Sequence, residues 1–116
     1  MGLEIDRNTA LNLWRAVTLE GVRGEYPDLS ARQLAVLMTV YLTEPPHGVR
    51  QLADSLGAPK PAITRAVDAL AELGFVKRKR DPEDGRNVLV QRTVAGSVYL
   101  SEFAERIARA ARGLAS

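Results

Sequence analysis

Lys60, Thr64 and Arg65 lie within six residues of one another in the stretch GAPKPAITRAVDAL. Side chains of these types bind phosphate and donate to base edges. A denser basic run follows in VKRKR, which supplies Lys77, Arg78, Lys79 and Arg80, and Arg86 comes two positions after Asp84 in DPEDGR. The planar donor fork of arginine suits phosphate, although a basic run by itself also describes an ordinary solvated face. Other chemistry is thinly furnished. His47 is the only histidine, in the loop EPPHG, and is expected to be solvated. With no cysteine and no acidic residues at ligand spacing, no metal site is expected. No glycine-rich phosphate loop or nucleophile motif is present, so the chain reads as not an enzyme and without a cofactor.

The composition agrees with a soluble binding protein. Of the 116 residues, 46% are hydrophobic, enough for a modest core, and 26% are charged; the two together fit a soluble globular protein and not a disordered one. The net charge is only +2, but it is unevenly placed, and thirteen of the sixteen basic residues are arginines. The absence of cysteine excludes disulfides and fits a reducing compartment, so a cytoplasmic location is expected. The N-terminal MGLEIDRN has no apolar core of signal-peptide length, and the apolar run at 34–42 is too short to span a bilayer. No membrane partner is expected.

The elements that must position the basic residues follow from period and punctuation. A first helix is expected over about residues 5–24, with Asp6 as N-cap and Ala10, Leu11, Trp14, Val17 and Val22 near helical spacing. Pro27 breaks it. Ser30 and Gln33 form a capping box for the second helix, with Leu29 and Leu34 at the staple positions. Its nearly continuous apolar run predicts the buried centre, and TEPPHG ends it. The third helix, VRQLADSL, turns Leu52, Ala53 and Leu56 inward and has Gly57 as its C-cap. Pro59 and Pro61 fit only the first turn of the fourth helix. There Ile63, Ala66, Val67, Leu70 and Leu73 form an apolar stripe, with Lys60, Thr64, Arg65, Asp68 and Glu72 off it. After Gly74 the period moves towards two, and FVKRKR and NVLVQRT read as strands joined through the turn signal Asp84-Gly85. Thr93 caps a last helix over about 94–113, with Val98, Tyr99, Phe103, Ile107, Ala110 and Leu114 on its apolar face. Glu102 with Arg106, and Glu105 with Arg109, have the spacing of helix ion pairs on the other side.

The third and fourth helices carry a small residue, Ala53, then Gly57 four positions on, then the branched Ile63 six further. That spacing resembles a helix-turn-helix; the other reading is a plain helical corner of a bundle. The second helix of such a unit enters the major groove by its N-terminal end. The charges agree, since Lys60, Thr64 and Arg65 occupy the first half, while Asp68 and Glu72, which phosphate would repel, occupy the second. A basic hairpin after such a helix is a wing, able to lie along the backbone and reach the minor groove, with Asp84 placed to steer Arg86. The expected fold is therefore mainly α (α+β): one domain over residues 1–116, a winged helix-turn-helix at 29–93 with a two-stranded wing, and flanking terminal helices. Those two helices hold more apolar residues than a small core can cover. A homodimer is expected, with Trp14, Tyr99, Phe103 and Ile107 as its seam.

From about residue 29 to residue 96 the chain resembles the MarR family of winged-helix transcriptional regulators. The resemblance rests on LSARQLAVL, VRQLADSLGAPKPAITRAVDALAELGFVKRKRDPEDGRN and VQRTVAG. Its most specific part is TRAVDAL-x-x-LGFV-x-R followed by DP-x-D-x-R. The resemblance implies a dimer that binds a pseudo-palindromic double-stranded DNA. It implies that Lys60, Pro61, Thr64 and Arg65 face the major groove, and that Asp84 orients Arg86 into the minor groove. A small-molecule effector would be a further partner, of unknown identity. The chain departs from the family pattern at three positions: Gly85 stands where a second arginine is common, Ala58 replaces a capping serine, and Arg92 replaces a leucine. A winged helix also serves as a protein-interaction module. The alternative function is thus an antitoxin or adaptor whose basic hairpin meets an acidic partner.

Overall fold

Local punctuation sets the helix ends. The computed structural model describes residues 4–115, so residues 1–3 and 116 of the expected domain lie outside the described residues. Its elements are α1 (Arg7–Arg23), α2 (Ala31–Leu42), α3 (Val49–Leu56), α4 (Lys60–Glu72), β1 (Val76–Arg80), β2 (Val88–Arg92) and α5 (Val94–Ala115). This is the expected mainly helical winged helix with a two-stranded wing and flanking helices. Asp6 caps α1 by accepting the Thr9 N–H at 2.8 Å, and this bond, with the Thr9 hydroxyl, holds the Asp6 carboxyl below its ordinary pKa. Ser30 and Gln33 form the reciprocal box at the start of α2, at 3.1 and 3.0 Å. Two compact units result, residues 29–100 and residues 4–28 with 101–115.

In the first of these units α2 and α3 pack on α4. Val36, Leu37 and Val40 of α2, Leu52 of α3, and Ile63, Val67 and Leu70 of α4 are fully buried. Each contributes about 1.5–3 kcal/mol relative to exposure, and together they form the core. Leu73, expected on the α4 stripe, is instead exposed, because it caps the helix beyond the buried face. β1 and β2 pair antiparallel with Val76 opposite Arg92 and Arg78 opposite Val90. Val76 and Val90 therefore share the sheet face that is buried, while Lys77 and Lys79 take the other.

A clasp closes the base of the hairpin. The Thr93 N–H donates to the Tyr41 hydroxyl at 2.8 Å, and that hydroxyl donates to the Phe75 carbonyl at 2.7 Å. Thr93 caps α5 as expected: its hydroxyl accepts the Gly96 N–H at 3.0 Å and donates to the Gly74 carbonyl at 2.7 Å. Gly96 lies so close beneath that a Cβ there would press on the Tyr41 hydroxyl and the Phe75 carbonyl. Tyr99 stacks on Phe75 with ring centroids 4.7 Å apart and is 7% exposed. Arg92 gives its Nε to the Val40 carbonyl and its Nη2 to the Thr43 carbonyl, both at 2.8 Å, and so satisfies the C-terminal end of α2.

Two loop expectations change. His47 is buried rather than solvated, because the segment before α3 pairs with the wing. The Val90 N–H donates to the His47 carbonyl at 2.7 Å, Gly48 bridges to Leu89, and His47 Nε2 lies 3.2 Å from the Thr43 carbonyl. The Asp84-Gly85 signal does not make a two-residue hairpin turn, which would need positive φ; among the described residues only Gly57 and Gly74 have it. The strands end at Arg80 and Val88, and the Asn87 N–H closes a wider turn on the Asp84 carbonyl at 2.9 Å.

In the second unit the apolar residues of α1 are mostly uncovered. Val17 is buried, whereas Leu11, Trp14 and Val22 are exposed, Trp14 by 55%. The expected ion pairs of α5 do not form. Arg106 is 2% exposed, with its guanidinium 3.8 Å from the Tyr26 ring centroid and 4.8 Å from that of Phe103. Two ring faces stabilise a cation that would otherwise be costly to bury. Arg109 reaches Glu20 of α1 at 2.8 Å, which raises its pKa, and Glu105 binds Arg112 at 3.0 Å.

The clasp makes a prediction. Gly96→Ala should destabilise the protein by about 1–3 kcal/mol, the usual cost of overpacking against fixed neighbours. Gly113→Ala, whose added Cβ meets nothing within 4 Å, should leave stability unchanged or raise it. Urea denaturation of both variants checks this, and equal midpoints would show that the clasp yields without cost.

Candidate nucleic-acid interface

The turn between α3 and α4 determines what α4 can present. Gly57 adopts φ 62°, the left-handed region, and the Ala58 N–H closes on the Ala53 carbonyl at 3.0 Å. The buried Ala53 and Ile63 sit on either side of this turn. Pro59 is the N-cap of α4 and Pro61 falls in its first turn, where a missing N–H removes no intrahelical bond. No side chain caps this end, as the alanine at 58 leads one to expect. The carbonyl of Pro59 accepts the N–H groups of Ala62 and Ile63 at 3.0 and 3.2 Å.

From there α4 is two-faced. Ala62, Ile63, Ala66, Val67 and Leu70 are buried, and Lys60, Pro61, Thr64, Arg65 and Asp68 are exposed. Asp68 does not pair with Arg65. It binds Arg78 of β1, so the carboxylate nearest the basic half of the helix carries its own counter-charge. Among the described residues no ion pair engages Lys60, Arg65, Lys77, Lys79, Arg80 or Arg86. The first half of α4 and most of the wing thus form an exposed cationic surface built on a rigid core. An exposed cationic surface of this kind suits a polyanion. No group of three or more His, Cys, Asp or Glu that could hold a metal occurs among the described residues.

The wing tip is held from α3. Asp84 accepts the Arg86 backbone N–H on Oδ1 at 3.1 Å, and its Oδ2 accepts Nη1 of Arg50 at 3.1 Å. Asp84 therefore holds Arg86 through the backbone, and its charge partner is Arg50. Asn87 is 3% exposed and donates from Nδ2 to Gln51 at 3.1 Å and to Asp81 at 3.4 Å. Its Oδ1 accepts the Arg50 N–H at 3.4 Å. Since Gly48 gives α3 no side-chain cap, Asn87 supplies that bond from the wing. Sequence reasoning passed over Arg50, Gln51 and Asn87. The one signal was a helix opening on glycine, with no capping side chain of its own.

Residues 29–88 match the MarR family. The chain is 32% identical to YkoM of Bacillus subtilis (strain 168), an uncharacterised HTH-type transcriptional regulator, across 96% of this chain and 78% of that protein. Among solved structures, the PcaV transcriptional regulator of Streptomyces coelicolor in complex with its natural ligand is 27% identical, with a TM-score of 0.67 over 96% of this chain and 82% of that one. A mutant of S. aureus MepR bound to an oligodeoxyribonucleotide superposes with a TM-score of 0.80 over 94% of this chain and 78% of that one, at 15% identity, a likeness of fold. With the family match spanning just over half the chain and YkoM alike along most of both lengths, this protein belongs to the MarR family and is a DNA-binding winged-helix transcriptional regulator.

Proposed function

We propose that the protein acts in the cytoplasm as a homodimer on a pseudo-palindromic duplex, with the first half of α4 in the major groove and Arg86 of each wing in the minor groove. The observation that carries this reading is the division of α4. Its buried stripe fixes the helix, Lys60, Thr64 and Arg65 stand exposed on its first turns, and its acid Asp68 is neutralised by Arg78. Lys60, Pro61, Thr64 and Arg65 face base edges and flanking phosphates. Lys77, Lys79 and Arg80 contact the backbone, and Arg78 is held on Asp68. The dimer is supported by the uncovered apolar residues of α1 and by the half-buried Phe103 and Ile107 of α5. Trp14, Phe103 and Ile107 form its seam; Tyr99, also expected there, is instead buried in its stack on Phe75.

Three outcomes are expected. Binding to duplex DNA should weaken steeply with salt, with a log–log slope of roughly −4 to −8 if each half of the dimer neutralises several phosphates. A flat titration, with binding retained instead to an acidic protein, would favour the adaptor reading. Next, Thr64→Ala or Arg65→Ala should alter discrimination between a selected site and shuffled duplex by about 1–3 kcal/mol, whereas Arg86→Ala should weaken binding broadly and reduce any preference for A·T-rich flanks. Competition titrations read both, and an Arg86→Ala protein equal to wild type on every duplex removes the wing from the interface. Finally, sedimentation at micromolar concentration should give the mass of two chains, and Trp14→Glu should shift it towards one. A wild-type protein of single-chain mass sinks the dimer.

A further inference from the structure

Arg50 is absent from the basic clusters of the sequence, yet the structure places its guanidinium on the wing. It stands in the first turn of α3, and Nη1 reaches Asp84 Oδ2 at 3.1 Å. Three neighbouring bonds fix that approach. The Arg50 N–H donates to Asn87 Oδ1 at 3.4 Å, Asn87 Nδ2 donates to Gln51 at 3.1 Å, and the Asn87 N–H donates to the Asp84 carbonyl at 2.9 Å. Both members of the pair are nearly half exposed, with side chains 48% and 42% accessible. A pair so wet adds little to stability, which leaves its position as its main property.

That position matters because of what Asp84 would otherwise do. Its Oδ1 already holds the Arg86 backbone N–H at 3.1 Å, so its second oxygen belongs to a carboxylate only two positions before Arg86. A free carboxylate there offers an internal partner to the very arginine that should leave for DNA. It would also place an uncompensated negative charge beside the phosphates. Arg50 takes that oxygen and cancels the charge.

We propose that Arg50 is a positioning residue for DNA binding: by occupying Asp84 it leaves the Arg86 guanidinium unpaired and available to the minor groove. This inference rests on the wing reading given above, and it assigns to α3 a part in selecting the flanks of the site. Arg50 acts through Asp84 and Arg86 and not through a phosphate of its own.

A double-mutant cycle tests it. Affinity is measured on a selected duplex with A·T-rich flanks and on the same duplex with G·C-rich flanks. Arg50→Ala alone should lower affinity for the A·T-flanked duplex by about two- to fivefold, the scale of an exposed pair, and should flatten the preference between flanks. The same substitution should have no effect in an Asp84→Asn background, where there is no charge to cancel, and a smaller effect in an Arg86→Ala background, where only the Asp84 charge beside the phosphates remains and there is no guanidinium to release. Arg50→Lys should retain most of the binding and the preference. The idea is overturned if Arg50→Ala loses the same factor in all three backgrounds, the mark of a direct phosphate contact. It is also overturned if Arg50→Ala matches wild type while Arg86→Ala loses affinity and flank preference. If Arg86→Ala itself binds like wild type, the wing reading fails first and takes this inference with it.

Discussion

The start of α3 cannot be completed from its own sequence. Gly48 has no side chain to accept the N–H groups of the first turn, and the acceptor comes from Asn87, on the far side of α4 in the chain. This bond requires the loop at 81–87 to lie against α3. Once it lies there, Gly48 has no room for a Cβ, since Gln51 and Asn87 fill that space. The opposite end of the hairpin is held as firmly by the Tyr41 hydroxyl, which joins β2, α5 and the segment after α4 through Thr93 and Phe75. A two-stranded ribbon is marginal by itself in water. Here it is fixed at both ends, so the wing and the α3–α4 turn share one frame.

The charges follow from that frame. Both acids of the α4–wing surface that form ion pairs are bound to arginines held elsewhere in the unit: Asp68 to Arg78 and Asp84 to Arg50. The cations left over lie at the start of α4 and along the hairpin. A net charge of only +2 thus says little about this surface, because two of its acids, Asp68 and Asp84, are neutralised locally while several of its bases are not.

What could be read from the sequence was set by short-range physics. The Ser30–Gln33 box, the Asp6 cap, the left-handed Gly57, the alternating wing strands and the buried stripe from Ile63 to Leu70 each involve residues a few positions apart, and each has a local pattern. The exposed Lys60, Thr64, Arg65 and Arg86 were legible for the same reason. Asn87, Arg50 and His47 were not, because each finds its role in a contact that the fold brings together over a long separation or through a loop that folds back. Arg106 was misread on the same ground. Glutamates at helical spacing offered a pair, but Tyr26, which the helix period does not reveal, offered a ring. Arg92 shows the reverse case: an unusual residue type flagged the position, and only the geometry showed that its partners are carbonyls of α2.

The two faces of α4 have a consequence for how such a regulator can change over generations. Residues that hold the helix in place and residues that meet the duplex are different residues on the same thirteen-residue element. Substitutions at positions 60, 64 or 65 leave the packing of Ile63, Val67 and Leu70 untouched. Duplicated genes can therefore drift apart in the sites they recognise while inheriting one framework, and a changed preference requires no compensating repair of the core. The same freedom does not extend to positions 62 and 66, where buried alanines set how closely the helix lies on its neighbours.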